Sequence, residues 1–234
     1  SAIHGSPTRA TLAITGGGSR SLSRLLSVPG ASATVIEGLV PYSSASLTEY
    51  LGRRPDRFCD ETTALAMAVV AHGRAVALSD DDGRTPASPD DLLGLGATAS
   101  LASDRPKRGD HRALVALQTN SSTTLARLDL EKNARSRSEE EDLVADLIIE
   151  LLAEEARVDQ RPGLPLTDAD RLETRRTVAS PELADVWNRR RPIAWSLVDG
   201  GWSLEPPVAP VGILSGSFAP RHQGHVELQR AAES

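Results

Sequence analysis

Ala10-Thr-Leu-Ala-Ile-Thr15 runs into Gly16-Gly-Gly18, and Ser19-Arg-Ser-Leu22-Ser-Arg-Leu25-Leu26 follows at once. The first six residues read as a short buried strand. The glycines break it, and Leu22, Leu25 and Leu26 then fall on one face of a helix that Ser19 opens. A strand, a glycine turn and a helix in that order form the opening unit of an α/β fold. Working outward, residues 33 to 40 (Ala-Thr-Val-Ile-Glu-Gly-Leu-Val) predict a second strand. Residues 61 to 74 predict a helix that Asp60 can cap, with Ala64, Leu65, Met67, Ala68 and Ala71 along one face. Asp80-Asp-Asp-Gly83 and two prolines make residues 79 to 91 a loop, and Gly96 to Ala102 a further strand.

Two strand-like runs, 112 to 119 and 123 to 131, are joined by Asn120-Ser-Ser122, a connection short enough for an antiparallel hairpin. Ser138-Glu-Glu-Glu141 matches a capping box, and the helix it opens reaches about Glu155 with a stripe of Leu143, Val144, Leu147, Ile148, Leu151 and Leu152. Residues 1 to 156 therefore read as a three-layer α/β/α sandwich with a mixed sheet. Arg161-Pro-Gly-Leu-Pro165 breaks the pattern. From Thr167 to Pro192, six arginines balance five acids in a segment that is helical in pattern, with Ser180-Pro-Glu182 as a second helix start. Two short runs around Asp199-Gly-Gly201 signal a hairpin. Residues 157 to 210 are thus a helical and hairpin connector, and 211 to 234 a strand, a turn and a helix: a truncated Rossmann-like β-α unit.

The chain has 26 Lys plus Arg against 32 Asp plus Glu, a net charge of −6, which argues against a general nucleic-acid binder and leaves small anions as ligands. No apolar run comes near the roughly 18 residues of a membrane helix, so no membrane span is expected. One cysteine, Cys59, excludes an internal disulfide and fits a reducing, cytoplasmic setting. Because the chain opens at Ser1 and its single methionine is Met67, it is expected to be a window on a longer reading frame. The three tryptophans, Trp187, Trp195 and Trp202, cluster late, so the core before them must be aliphatic.

Two loops are candidate anion sites. The amides freed by Gly16, Gly17 and Gly18, with the helix start at Ser19, could hold a phosphate or carboxylate, or simply form a tight turn. Asp104-Arg105-Pro106-Lys107-Arg108-Gly109-Asp110-His111-Arg112 places four cations after a strand, either as an anion clamp or as a solvated basic loop. Arg105, Lys107 and Arg108 are expected to converge with the glycine turn on one anion. Asp80 to Asp82 lack calcium-loop spacing, His72 has no ligand-spaced partner, and no metal site is predicted. Cys59 reads as a buried small side chain rather than a nucleophile. At the end, Gly216-Ser217-Phe218 makes a turn and Pro220-Arg-His222-Gln-Gly-His225 leads into a helix. Its two imidazoles, three residues apart, could bind phosphate with the helix dipole.

Gly216-Ser-Phe-Ala-Pro-Arg-His-Gln-Gly-His225 resembles the signature of the cytidylyltransferase-like nucleotidyltransferases, which include nicotinamide mononucleotide adenylyltransferase. That resemblance implies that the parent protein uses ATP and Mg, that Gly216, Ser217 and Phe218 admit the triphosphate, and that His222 and His225 stabilise its phosphates. No cofactor is implied for residues 1 to 234 alone, and transfer activity is not expected of them. Residues 12 to 119 resemble the C-terminal domain of the CinA family, which deamidates nicotinamide mononucleotide. The likeness rests on Gly16 to Gly18, Val28-Pro-Gly-Ala-Ser32, Glu37-Gly-Leu-Val-Pro-Tyr-Ser43 and Leu51-Gly52. It places Thr15 at the nucleophile position and Leu47 at that of the catalytic lysine, and retains Tyr42. The implied scaffold is kept while the hydrolytic chemistry is lost or rewritten. The expectation is a nucleotide or phosphate binder of pyridine nucleotide metabolism, homo-oligomeric, with no nucleic-acid or membrane partner. The alternative is a non-catalytic structural or oligomerisation module.

Overall fold

The computed structural model describes residues 2–81, 86, 88–104, 109–159, 161–187, 190–197 and 200–206. They fall into two units, Ser1–Val178 and Ala179–Ser234. The first is built on a six-stranded mixed sheet. The opening strand β1 (Arg9–Thr15) lies parallel between β2 (Val35–Leu39) and β3 (Leu92–Ser100). The sheet then continues antiparallel through β4 (His111–Gln118), β5 (Ser122–Leu130) and β6 (Arg171–Val178). The β4–β5 hairpin forms as its polar connection predicts, closed by the Thr119 amide donating to the Ser122 carbonyl.

Period-two alternation along the strands sorts side chains between two helical layers. Leu12 and Ile14 of β1 and Val115 and Leu117 of β4 join the core beneath α5 (Arg137–Glu155) and α1 (Arg20–Leu26). Ala13 packs with Leu47 of α3 (Ser44–Leu51) and Met67 of α4 (Glu61–Asp81), and Leu114 and Ala116 pack with Ala64 and Ala68. The architecture is the three-layer α/β/α sandwich that the sequence predicts. Its α4 layer lies close to the sheet because β3 offers no side chain at Gly94 and Gly96. A Cβ there would lie 2.1 Å from the His72 nitrogen and 2.4 Å from the Ala64 oxygen, respectively.

Several elements differ from expectation. Helix α4 continues to Asp81, and β3 starts at Leu92 after a single turn, Pro89–Asp91, that Ser88 caps. By length and composition Glu61–Ser79 is apolar enough to cross a membrane, a feature that a search for uninterrupted runs misses because Glu61, His72 and Arg74 interrupt it. Here the helix packs across β1, β3 and β4. Helix α3, unforeseen, is capped by Ser43, whose hydroxyl accepts from the Ser46 amide.

The largest difference is β6, in a stretch expected to be helical. It pairs with β5 from Ser122↔Val178 to Asp129↔Arg171. An edge strand satisfies its backbone on one side only and is commonly charged, so it carries no apolar alternation for a sequence reading to find. Arg175 reaches Glu61, and Arg176 reaches Glu155 and Ser122. In the second unit, α6 (Pro181–Trp187) starts at the Ser180 cap as expected, and β7 (Trp195–Ser196) and β8 (Trp202–Ser203) form the expected hairpin.

Candidate functional site

The glycine turn is an anion site, and the chain fills it with its own carboxylate. Gly16 and Gly18 both sit at positive φ, 76° and 87°, which favours glycine. The turn aims the Gly18 and Arg20 amides and the Ser19 hydroxyl at Glu141, which accepts all three at 2.8, 3.2 and 2.9 Å. Burial alone would raise the Glu141 carboxyl, but these donors and the nearby Arg137 overrule it and hold the group below its ordinary value. The expectation that Gly18 and Ser19 hold a ligand phosphate is therefore corrected: in this fold their donors are taken.

The same contact moves the helix cap. Ser136-Arg-Ser-Glu139 fits the capping-box pattern as well as Ser138 to Glu141 does. The structure uses the earlier pair, with Ser136 accepting from the Glu139 amide and Glu139 accepting from the Ser136 amide. Three successive glutamates thus have three separate tasks. Glu139 caps α5, Glu141 holds the glycine turn, and the fully buried Glu140 accepts from the Ala102 amide at 2.6 Å and lies 2.7 Å from Nδ1 of His111. Glu140 thereby pins both ends of the 103–110 connection.

Beside the turn, at the carboxyl ends of parallel β1 and β3, lies a cavity of about 400 Å³. That is within the range of small-molecule sites and in the position where open α/β sheets hold ligands. Thr15, Gly16, Tyr42, Leu47, Cys59, Thr98 and Arg137 are among its lining residues. Thr15 is 8% exposed, and among the described residues its hydroxyl has no hydrogen-bond partner. Arg137 donates to the carbonyls of Gly16 (2.8 Å) and Ala102 (3.4 Å), which fixes the guanidinium at the rim while leaving donors of its five to spare. Tyr42 is 72% exposed. Leu47 is buried against Ala13 and Met67. Among the described residues the lining holds no Asp, Glu, His or Lys, so no side chain there matches a lysine-like base.

Thr15, Gly16 and Tyr42 all line this cavity. Cys59, read from sequence as an inert buried residue, lines this cavity, its Sγ 4.0 Å from the Thr98 carbonyl. Arg137 was overlooked because nothing local distinguishes it from neighbouring helix-surface arginines. Arg105, Lys107 and Arg108 lie outside the described residues, as do Gly216, Ser217, Phe218, His222 and His225. No group of three or more His, Cys, Asp or Glu among the described residues is placed to hold a metal ion.

Fold and site define a three-layer α/β protein with a ligand-sized cavity at its parallel strand ends. No protein-family model matches the chain, and no curated protein does.

Proposed function

We propose that the Ser1–Val178 unit binds a small phosphate-bearing nucleotide in the Thr15 cavity without hydrolysing it. The observation that carries this reading is the conjunction of Thr15, which lines the cavity with its hydroxyl unpartnered among the described residues, with a guanidinium, Arg137, held at the rim of a cavity of nucleotide-compatible size. Arginine recognises phosphate by charge-assisted hydrogen bonds. Threonine can be a nucleophile only beside a group that takes its proton, and Leu47 cannot do so. Nicotinamide mononucleotide is the first candidate ligand, because both sequence resemblances lead to pyridine nucleotides. On the resemblance of residues 211 to 234, the parent protein transfers adenylyl groups from ATP, with His222 and His225 at the phosphates. A cytoplasmic setting follows from that chemistry.

Calorimetric titration with nicotinamide mononucleotide tests the binding. Arg137→Ala should weaken it by about ten- to a hundredfold, the worth of one hydrogen bond to a charged group. Bound ligand should slow maleimide modification of Cys59, the single cysteine. Ammonia release at enzymatic rates, abolished by Thr15→Val, would overturn the non-hydrolytic reading. The rival, a structural or oligomerisation module, is favoured by the way Glu141 occupies the glycine turn; absence of both heat and Cys59 protection at millimolar ligand would favour it further and overturn the nucleotide reading.

A further inference from the structure

Between α3 and α4 the chain reads Arg53-Arg-Pro-Asp-Arg57, and these residues line a recess of about 90 Å³ with Asp60 and Thr62. Many arginines elsewhere in this acidic chain are held by carboxylates. Arg20 and Arg24 pair with Asp142, Arg74 with Glu37, Arg135 with Asp170, Arg175 with Glu61 and Arg176 with Glu155. Arg53, Arg54 and Arg57 are exposed and pair with no carboxylate among the described residues. Two acids share the lining. Asp60 is turned to α4, accepting from the Thr62 amide at 3.3 Å, and neither it nor Asp56 forms an ion pair with the three arginines.

The segment is also fixed in place. Pro55 restricts its backbone, the buried Thr63 hydroxyl donates to the Arg57 carbonyl at 2.5 Å, and Thr98 donates to the Phe58 carbonyl at 2.7 Å. Folding thus gathers three arginines and two aspartates around one recess, a net positive charge that favours an anion. We propose that this recess binds a phosphate-type oxyanion, separately from the Thr15 cavity. A recess of about 90 Å³ is small, suited to a single phosphate group rather than the body of a nucleotide. Guanidinium forks suit that group geometrically. The ligand is inorganic phosphate or the phosphate end of a small monoester whose remainder stays in solvent.

The test is an NMR titration of the whole chain, labelled with nitrogen-15, using sodium phosphate, methyl phosphate and, at matched ionic strength, sodium chloride. Phosphate should produce saturable shifts at the Thr62 and Thr63 amides and the arginine Nε–H groups of the segment. Arg54→Ala and Arg57→Ala should each weaken binding by about tenfold or more, and Arg54→Lys by less. Equal binding of methyl phosphate identifies a monoester end as a ligand; binding of phosphate alone identifies the free ion. Shifts that rise linearly, that chloride reproduces, or that survive both alanine variants overturn the proposal. Shifts at Thr15 and Gly16 report the other cavity, so failure of either site is seen on its own.

Discussion

Glu141→Ala should be among the most damaging substitutions of a polar residue in this protein. The change removes the acceptor of three hydrogen bonds and leaves the Gly18 and Arg20 amides in a site where the glutamate itself is only 9% exposed. A hydrogen bond to a charged group is worth about 1.5–3 kcal/mol, and bonds sharing one carboxylate do not add, so a total near 3 kcal/mol is expected. With a urea dependence of about 2 kcal/mol per molar, the unfolding midpoint should fall by about 1.5 M. Asp142→Ala, next along the helix, breaks ion pairs to Arg20 and Arg24 that are more than a third exposed and should cost under about 1 kcal/mol. The vacated turn should then behave as an ordinary anion site: formate at about ten times its dissociation constant would restore about 1.4 kcal/mol. Because the folded state lowers the Glu141 pKa, its contribution is complete above the unfolded value near 4.5 and disappears as pH falls through the lower folded value. The gap between wild type and Glu141→Gln should therefore close under acid. A Glu141→Ala midpoint no lower than that of Asp142→Ala, with no response to formate, would refute the reasoning.

Gly96→Ala should cost at least about 3 kcal/mol or prevent folding, since its Cβ would lie 2.4 Å from both the Ala64 oxygen and the Ala68 nitrogen, and backbone on both sides cannot yield. By contrast Gly73→Ala, on the open side of α4, should stabilise the fold by up to about 1 kcal/mol through helix propensity, seen as a higher thermal midpoint. Two further groups should make the protein acid-sensitive. Burial lowers the His72 pKa, with Asp90 opposing it, so the unfolded chain takes up a proton that the fold refuses and stability falls below about pH 6.5. For Asp170, burial acts upward, but Arg135 and the Glu131 and Thr167 amides hold it at about 2, against 3.8 in the unfolded chain. That contribution, about 2 kcal/mol, is complete above pH 3.8 and is lost toward pH 2; urea midpoints of Asp170→Asn that fall in parallel with wild type over this window would disprove it.

The features legible along the chain are those written in neighbouring residues. β1, its glycine turn and α1 were readable because strand period, helix period and chain-breaking glycines are local signals, and so were the Ser180 cap and both hairpins. From these alone the three-layer sandwich follows, since apolar stripes on alternating strands and helices leave few other ways to bury them. Residues whose partners lie far along the sequence were not readable. Ser136 and Ser138 offer equally good capping boxes, and the choice rests with Glu141, which a turn some 120 residues earlier claims. Arg137 is one arginine among many until Gly16 and Ala102 fix it at a cavity rim. Cys59 becomes a cavity residue only when α4 docks on β3. The β6 sequence has no pattern of its own, because an edge strand takes its conformation from the strand it pairs with. Local signals report what a segment prefers; the identity of the group that satisfies a charge, an amide or a strand edge depends on which distant segment arrives there, and packing alone brings the two together.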